Sequence, residues 1–107
     1  MSQGQQQAIA TDAAKAPVQD VVRAKRFELV DDAGKVRGEF RLVDGEPVLT
    51  LADAAGKPRG EFWLINGEPA VTLFDAAGEV SGLFSLFNGE PYLRLYDADG
   101  KTIWSAP

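Results

Sequence analysis

The sequence predicts an all-β fold in which tandem β-hairpins, with a repeat period of 22, form one antiparallel meander. The first observation is a short-turn signal, an Asn-Gly or Asp-Gly pair followed by Glu-Pro. It occurs at 44–47, 66–69 and 88–91, so its spacing is constant. A constant offset indicates a repeat architecture, in which each unit is one turn with its flanking strands.

A second series of turns has the same spacing and lies between the short ones. Each begins with Asp and reaches a Gly three residues later, at 31–35, 53–57, 75–79 and 97–101. Asp at the start of a turn accepts a hydrogen bond from the backbone two residues on, and Gly supplies the positive φ that closes a three- to five-residue loop. Alternating short and long turns predict consecutive antiparallel strands.

The segments between turns alternate as half-buried strands do. In residues 36–43, one face carries Val36, Gly38, Phe40 and Leu42, whereas the other is mainly charged. The same pattern recurs in each of the next two units. Counting backwards by one period predicts a first strand over 21–30, and the last strand is expected over 102–104, ended by Ala106-Pro107.

Three glycines, Gly38, Gly60 and Gly82, recur in mid-strand, where glycine costs about 0.5–1 kcal/mol relative to alanine. Two explanations remain open. Either a bulge curves the sheet at this register, or the position faces a neighbour too close to admit a Cβ, such as another chain or a nearby Phe ring. A ligand over the glycines is a third, weaker alternative.

Residues 18–107 are assigned to the repeat domain, and residues 1–17 to a polar tail or an arm that docks on a neighbouring subunit. The N-terminus shows no secretory signal, and no apolar run approaches the roughly 20 residues of a spanning helix. We therefore expect no membrane span. The compartment is left open, with the cytoplasm as default and export by another route as the alternative.

Composition argues against several functions. The net charge of −5 disfavours a nucleic-acid partner, because phosphate binding needs excess Lys and Arg. The chain has no His and no Cys, which removes the commonest general base and the commonest soft metal ligands. Asp97-Ala98-Asp99-Gly100 resembles the start of a calcium loop, but the later Glu is missing. We expect no catalytic residue, no metal and no cofactor, and hence no enzyme.

Both faces of the sheet become apolar towards the C-terminus, so an isolated flat sheet is expected to be marginal. We predict a homo-oligomer, most simply a trimeric prism-like stalk or a filament, with a monomeric β-roll or barrel as the alternative. The predicted assembly interface comprises two sets of residues: Phe40, Leu42, Phe62, Leu64, Phe84 and Leu86 on one face, and Trp63, Phe74, Phe87, Tyr92 and Tyr96 on the other.

The repeat unit, Gly-Glu-Pro-x-Leu-x-Leu-x-Asp-x-x-Gly-Lys before Arg-Gly-Glu-Phe, resembles uncharacterised bacterial β-hairpin repeat proteins built on Asp-x-x-Gly-(Lys/Arg) units. The resemblance covers residues 21–104 and implies an all-β repeat module of unassigned activity. The Tyr-x-Gly pattern of MORN repeats is absent, and the Gly-Trp pair of choline-binding repeats does not recur.

Two classes of function follow from this form. The first is a structural protein that assembles with itself into a stalk, fibre or filament. The alternative is a binding module that presents its C-terminal aromatic residues to a carbohydrate or a protein. The two differ in whether those aromatic side chains are covered in the assembled state.

We predict that Phe62→Ala, which removes one rung of the apolar stripe, costs about 3–5 kcal/mol and shifts the assembly towards monomer. Glu68→Ala removes a carboxylate from a solvated edge and is expected to be nearly silent. Denaturant unfolding and sedimentation of the two variants measure both effects. Equal effects would show that the faces are wrongly assigned.

Overall fold

The chain forms a single antiparallel sheet of eight strands, described here from a computed structural model that covers residues 17–107. The strands follow one another in the sheet in chain order, so the predicted all-β hairpin meander is confirmed. The predicted tail, apart from Pro17, lies outside the described residues. The strands are β1 Arg26–Val30, β2 Val36–Val43, β3 Glu46–Ala52, β4 Pro58–Ile65, β5 Glu68–Phe74, β6 Val80–Phe87, β7 Glu90–Tyr96 and β8 Thr102–Ala106.

The two terminal strands differ from their predicted bounds. Strand β1 begins at Arg26 rather than at residue 21, because its pairing with β2 ends at Arg26 and Arg41 and no other described strand lies on its free side. Strand β8 runs to Ala106 rather than to Trp104, because Ala106 still pairs with Leu93. No helix forms between residues 17 and 107, so this part of the chain holds no helical segment able to cross a membrane.

The short turns have the geometry that the Asn-Gly and Asp-Gly pairs predict. Asp44 and Gly45 have φ angles of 50° and 81°, and the pairs at 66–67 and 88–89 match them closely. Two consecutive positive φ values define a type I′ turn, whose twist matches that of the flanking strands. The turn therefore fixes the register, with Val43 opposite Glu46 in the first copy.

The long turns are held by the Asp that begins each of them. The Asp31 carboxylate oxygen Oδ1 accepts hydrogen bonds from the backbone N–H groups of Ala33 and Lys35, each at 3.0 Å. The Asp31 carbonyl accepts a third from the Gly34 N–H at 2.9 Å. The turns that begin at 53, 75 and 97 repeat all three bonds, each at 2.9 or 3.0 Å.

A bulge follows each long turn. Leu29 pairs with Gly38 and Val30 pairs with Val36, so Arg37 is an extra residue on β2. The same shift leaves Arg59, Ser81 and Ile103 as extra residues on β4, β6 and β8. The recurrent glycines therefore lie directly after bulges, as the first sequence explanation proposed.

Crowding within the chain does not account for the glycines. A Cβ added at Gly60 would lie 3.8 Å from its nearest neighbour, a Leu73 methyl, and one added at Gly38 would lie 3.5 Å from the Leu29 Cβ. Both distances are ordinary van der Waals contacts. The suggestion that a Phe ring of the same chain excludes a side chain there is thus wrong.

The sheet remains open rather than closing on itself. Within residues 17–107, β1 and β8 each pair on one side only, so the alternative of a monomeric barrel is wrong for this chain. The radius of gyration is 19.0 Å, whereas a compact domain of 100 residues has about 13 Å. Val48 and Ala70 are the buried hydrophobic residues of the described chain, so a single copy has almost no core.

The second long turn, which begins at Asp53, makes the stability of the fold depend on pH. The hydrogen bond from the Lys57 N–H, with that from Ala55 and the nearby Arg59 and Lys57 charges, holds the pKa of Asp53 below its usual 3.8. A lowered folded pKa contributes stability above the unfolded pKa, and that stability is lost as the pH falls through the folded pKa. We expect the stability advantage of wild type over Asp53→Asn to shrink between pH 7 and pH 3.

Thermal unfolding at a series of pH values measures this dependence. Asp44→Asn is the matched control, since asparagine occupies the corresponding place in the other short turns and the Asp44 carboxylate makes no hydrogen bond within residues 17–107. A pH-independent difference between wild type and Asp53→Asn would contradict the assignment.

Candidate assembly surface

One face of the sheet is apolar across all eight strands; we call it the apolar face. The pairing aligns its side chains in three rows. The first row, in which aromatic and aliphatic residues alternate from Phe40 to Leu93, is Phe27, Phe40, Leu49, Phe62, Val71, Phe84, Leu93 and Ala106. The second row is Leu29, Gly38, Leu51, Gly60, Leu73, Gly82, Leu95 and Trp104. The third consists of the pairs Leu42 with Pro47, Leu64 with Pro69, and Leu86 with Pro91.

These side chains are largely accessible to solvent. Phe40, Phe62 and Phe84 are 50%, 54% and 55% exposed, and the leucines that flank the glycines are exposed to a similar extent. The three rows contain no polar side chain. A continuous apolar surface of this kind marks an interaction site in a soluble protein, whereas single exposed apolar residues do not.

The apolar face is large enough for a stable interface. With strands about 4.8 Å apart and same-face residues about 6.8 Å apart along a strand, each position covers roughly 33 Å², so rows of eight, eight and six residues cover on the order of 700 Å². Side chains raise the accessible area above this flat value. Specific interfaces bury about 800 Å² on each partner, so one such face has the area of one side of an ordinary interface.

The opposite face, here called the mixed face, covers its own small residues. Its central row runs Arg41, Val48, Trp63, Ala70, Ser85 and Tyr92 across six strands. The large side chains flank the small ones, which leaves Ala70 1% exposed and Val48 6% exposed. The Trp63 indole N–H donates to the Thr72 hydroxyl at 3.0 Å, so its polar group has a partner within the chain.

The N-terminal half of the mixed face carries a charge cluster. The Glu39 carboxylate is paired with the guanidinium groups of Arg26 and Arg41, and Arg26 also lies 2.7 Å from Glu28. Thr50 donates to the Glu61 carboxylate at 3.1 Å in the neighbouring strands. The two guanidinium and two carboxylate charges balance, although the buried Arg41 Nε–H has no hydrogen-bond acceptor within residues 17–107.

An open depression of about 490 Å³ lies at the C-terminal corner of the mixed face, lined by Phe87, Tyr92 and Arg94 among others. The Arg94 guanidinium carbon lies 5.1 Å from the centre of the Tyr92 ring, in cation–π distance. Phe87 is exposed beside them. This corner is the accessible aromatic surface of the mixed face.

The structure divides the predicted interface residues between the two faces as the sequence expected. Six lie on the apolar face: Phe40, Leu42, Phe62, Leu64, Phe84 and Leu86. Strand alternation places the other five on the mixed face: Trp63, Phe74, Phe87, Tyr92 and Tyr96. Of these five, Phe87 is exposed and the rest are half-buried.

The predicted set omitted much of the apolar face. Leu29, Leu51, Leu73 and Leu95 flank the glycines, and Trp104 ends the same row. The signal for Trp104 was present, since it has the place of Gly82 in the following unit. Simple alternation from Thr102 did not reveal it, because the bulge at Ile103 places Thr102 and Trp104 on opposite faces.

The acidic residues do not converge on a metal site. Among residues 17–107, no three or more Asp or Glu side chains gather where they could hold an ion. The calcium-like sequence at 97–100 forms an ordinary long turn, in which the Asp97 carboxylate accepts the N–H groups of Asp99 and Lys101 at 2.9 Å.

No protein-family model and no curated protein sequence matches this chain. Solved structures of TarM are similar in fold. S. aureus TarM with the G117R substitution, in complex with fondaparinux, α-GlcNAc-glycerol and UDP, matches with a TM-score of 0.54 at 14% identity over 97% of this chain and 22% of that one. A second TarM structure matches with a TM-score of 0.51 at 14% identity over 94% of this chain and 21% of that one. The chain thus spans about a fifth of TarM, and the likeness concerns the fold alone.

Glu68 has a structural role that its sequence position did not indicate. Its carboxylate accepts the backbone N–H groups of Asn88 and Gly89, at 2.9 and 2.6 Å, and so ties one short turn to the next. The expectation that Glu68→Ala is nearly silent therefore rested on a wrong premise. We now expect this substitution to destabilise the fold by about 1 kcal/mol, the usual net value of such bonds.

Denaturant unfolding of Glu68→Ala against Glu46→Ala measures this value. Glu46 has the corresponding position beside the first short turn, but within residues 17–107 its carboxylate accepts no hydrogen bond. Equal losses in the two variants would show that the two backbone bonds contribute nothing.

Proposed function

We propose that this chain is a structural subunit that assembles with itself through its apolar face, most simply as a three-sided stalk. The observation that supports this proposal is the unbroken exposed apolar surface across all eight strands. A single copy buries almost no hydrophobic side chain, so the sheet needs cover to gain ordinary stability.

A second copy of the same chain fits this surface better than an unrelated partner. The three rows repeat every two strands, and the large and small positions alternate along the second row. Two such faces can interdigitate, because ridges of leucine on one copy have the spacing of the glycine positions on another. When three sheets are arranged around one axis with their apolar faces inward, each apolar face is covered by the other two sheets. Such a trimer needs only cyclic symmetry.

The acidic turns suit this arrangement. Type I′ turns and Asp-initiated turns project at the two sides of the sheet, away from the three apolar rows. With a net charge of −5 on each chain, an assembly built on the apolar face carries its charge at the corners, where water screens the repulsion. The charges therefore keep the assembly soluble without opposing its formation.

The alternative proposal is a binding module that uses the C-terminal corner of the mixed face. Phe87, Tyr92 and Arg94 supply aromatic and cationic groups there beside an open depression. Such a corner suits a sugar ring or a peptide. Trp63 contributes less to it, since it packs between Val48 and Ala70 and its N–H is already bonded.

Phe62→Ser tests the assembly proposal, with Phe87→Ser as the matched control on the mixed face. Phe62 is half-exposed in one chain, so its loss weighs on assembly more than on the folding of one copy. We expect it to weaken self-association by about 30-fold or more, the effect of losing a central aromatic anchor. Phe87→Ser should leave the particle mass unchanged.

Sedimentation across a concentration series measures both variants and the wild type. Wild type should sediment as a discrete trimer or a larger species. A wild-type monomer at every concentration, or equal dissociation of the two variants, would overturn assembly through the apolar face. Binding of glycans to such a monomer, abolished by Phe87→Ser, would then support the alternative.

A further inference from the structure

We infer that copies of this chain also join head to tail, with strand β8 of one copy pairing antiparallel to strand β1 of the next, so that the sheet continues from chain to chain. This inference deepens the proposed self-assembly and rests on it for the cover of the apolar face. It concerns a different surface, the two outer edges of the sheet, and assigns them one occupant, a second copy.

The two edge strands occupy different positions of the two-strand repeat unit. Strand β1 corresponds to β3, β5 and β7, and strand β8 corresponds to β2, β4 and β6. Every odd strand after the first has an even strand on both sides, whereas within residues 17–107 β1 and β8 each pair with one neighbour only. Placing β1 of a second copy beside β8 reproduces the pairing of β2 with β3.

The backbone groups at the two edges point in the directions that this pairing needs. A two-residue turn is closed by a pair that exchanges both hydrogen bonds, here Val43 and Glu46, and the bonding direction then alternates along each strand. Counting outwards from the short turns places the N–H and C=O groups of Glu28 on the free side of β1 and those of Ser105 on the free side of β8. In the β2–β3 register these two residues lie opposite each other.

The long turns make a second interaction, in which a Lys side chain of one turn donates to a carbonyl of the next. The Lys35 ammonium donates to the Ala54 carbonyl of the next long turn at 3.0 Å, and Lys57 donates to the Ala76 carbonyl in the same way. Glu79 has this place in the third turn and interrupts the series. Lys101 has it in the fourth, and within residues 17–107 its ammonium has no acceptor. In the proposed junction the corresponding acceptor is the Asp32 carbonyl of the next copy.

The side chains at the junction are also compatible. In β8 the sizes of the side chains are exchanged between the first two rows. The large Trp104 lies in the second row, where β2, β4 and β6 have glycine, and the small Ala106 lies in the first row, where they have phenylalanine. The junction places Leu29 of the next copy beside Trp104 and Phe27 beside Ala106. Each pair joins two apolar side chains, and the first and second rows of the apolar face continue across the junction without a polar break.

The junction does not compete with assembly through the apolar face. Strands lie across the direction in which the sheet grows, so edge pairing extends each wall lengthwise while the walls pack sideways. A head-to-tail contact uses two different surfaces of each copy. It forms a closed ring only if the rotation between successive copies brings the last copy back to the first. The product is therefore an open filament whose subunits are stacked along the sheet.

Ser105→Pro is the test. The Ser105 N–H points away from β7, so proline there should keep the hairpin while it removes a junction hydrogen bond and places its ring in the path of a neighbour. Ser105→Thr, which keeps the N–H, is the control. We expect wild type and Ser105→Thr to form filaments on electron micrographs. Ser105→Pro should form only discrete particles and need a protein concentration raised by about tenfold or more to extend them.

Glu28→Pro blocks the other edge and makes a second test possible. A Ser105→Pro chain retains an intact β1 edge, and a Glu28→Pro chain retains an intact β8 edge. We expect each variant alone to give a discrete particle and an equimolar mixture to give a particle of twice that mass. Circular dichroism establishes that both variants keep the sheet.

The outcomes separate this inference from the proposed function. Discrete wild-type oligomers without filaments would overturn the edge junction and leave assembly through the apolar face standing. Filaments that persist in both proline variants would overturn the junction as well. Filaments that both prolines abolish, but that Phe62→Ser leaves unchanged in width and stability, would confirm the junction and overturn assembly through the apolar face.

Discussion

The pair of positive φ angles in each short turn is the constraint on which the rest of the structure depends. Asp44 with Gly45 and the two Asn-Gly pairs fix three hairpins in one register. Because side chains alternate with a period of two, a slip of one residue would exchange the apolar face for the mixed face. The long turns and the bulges then set the offset between hairpins, so that the first two rows continue across all eight strands and the third across β2 to β7.

Because the register is regular, the two faces of the sheet differ in composition and in how their side chains are covered. The mixed face makes most of its contacts within one chain, because Trp63 lies beside Val48 and Ala70 and the Arg26, Glu39 and Arg41 charges pair. The side chains of the apolar face are not covered within one chain, since its rows contain only apolar residues and glycines and stay largely exposed. In the proposed assembly, the mixed face stabilises the fold of one chain and the apolar face holds the copies together.

The sequence predicted the turns, most strand bounds and the faces of all eleven proposed interface residues, because period and turn chemistry are local properties. It did not predict the place of Trp104, since the bulge at Ile103 alters the alternation within β8 and only the 22-residue period places Trp104 in the glycine row. It also misjudged Glu68, whose partners Asn88 and Gly89 belong to the next hairpin. The N-terminal limit of β1 was set by a partner strand, which a strand pattern read alone does not reveal.

The bonds between long turns are not spread evenly along the chain. Lys35 and Arg37 donate to carbonyls of the following hairpin, as do Lys57 and Arg59, but Glu79 and Ser81 have those places in the third unit. A repeat array gains stability from each nearest-neighbour junction separately. The last hairpin, β7 with β8, is therefore the most weakly coupled to its neighbour. We expect unfolding of the array to begin at this C-terminal end, so that the two ends of a periodic molecule differ in stability.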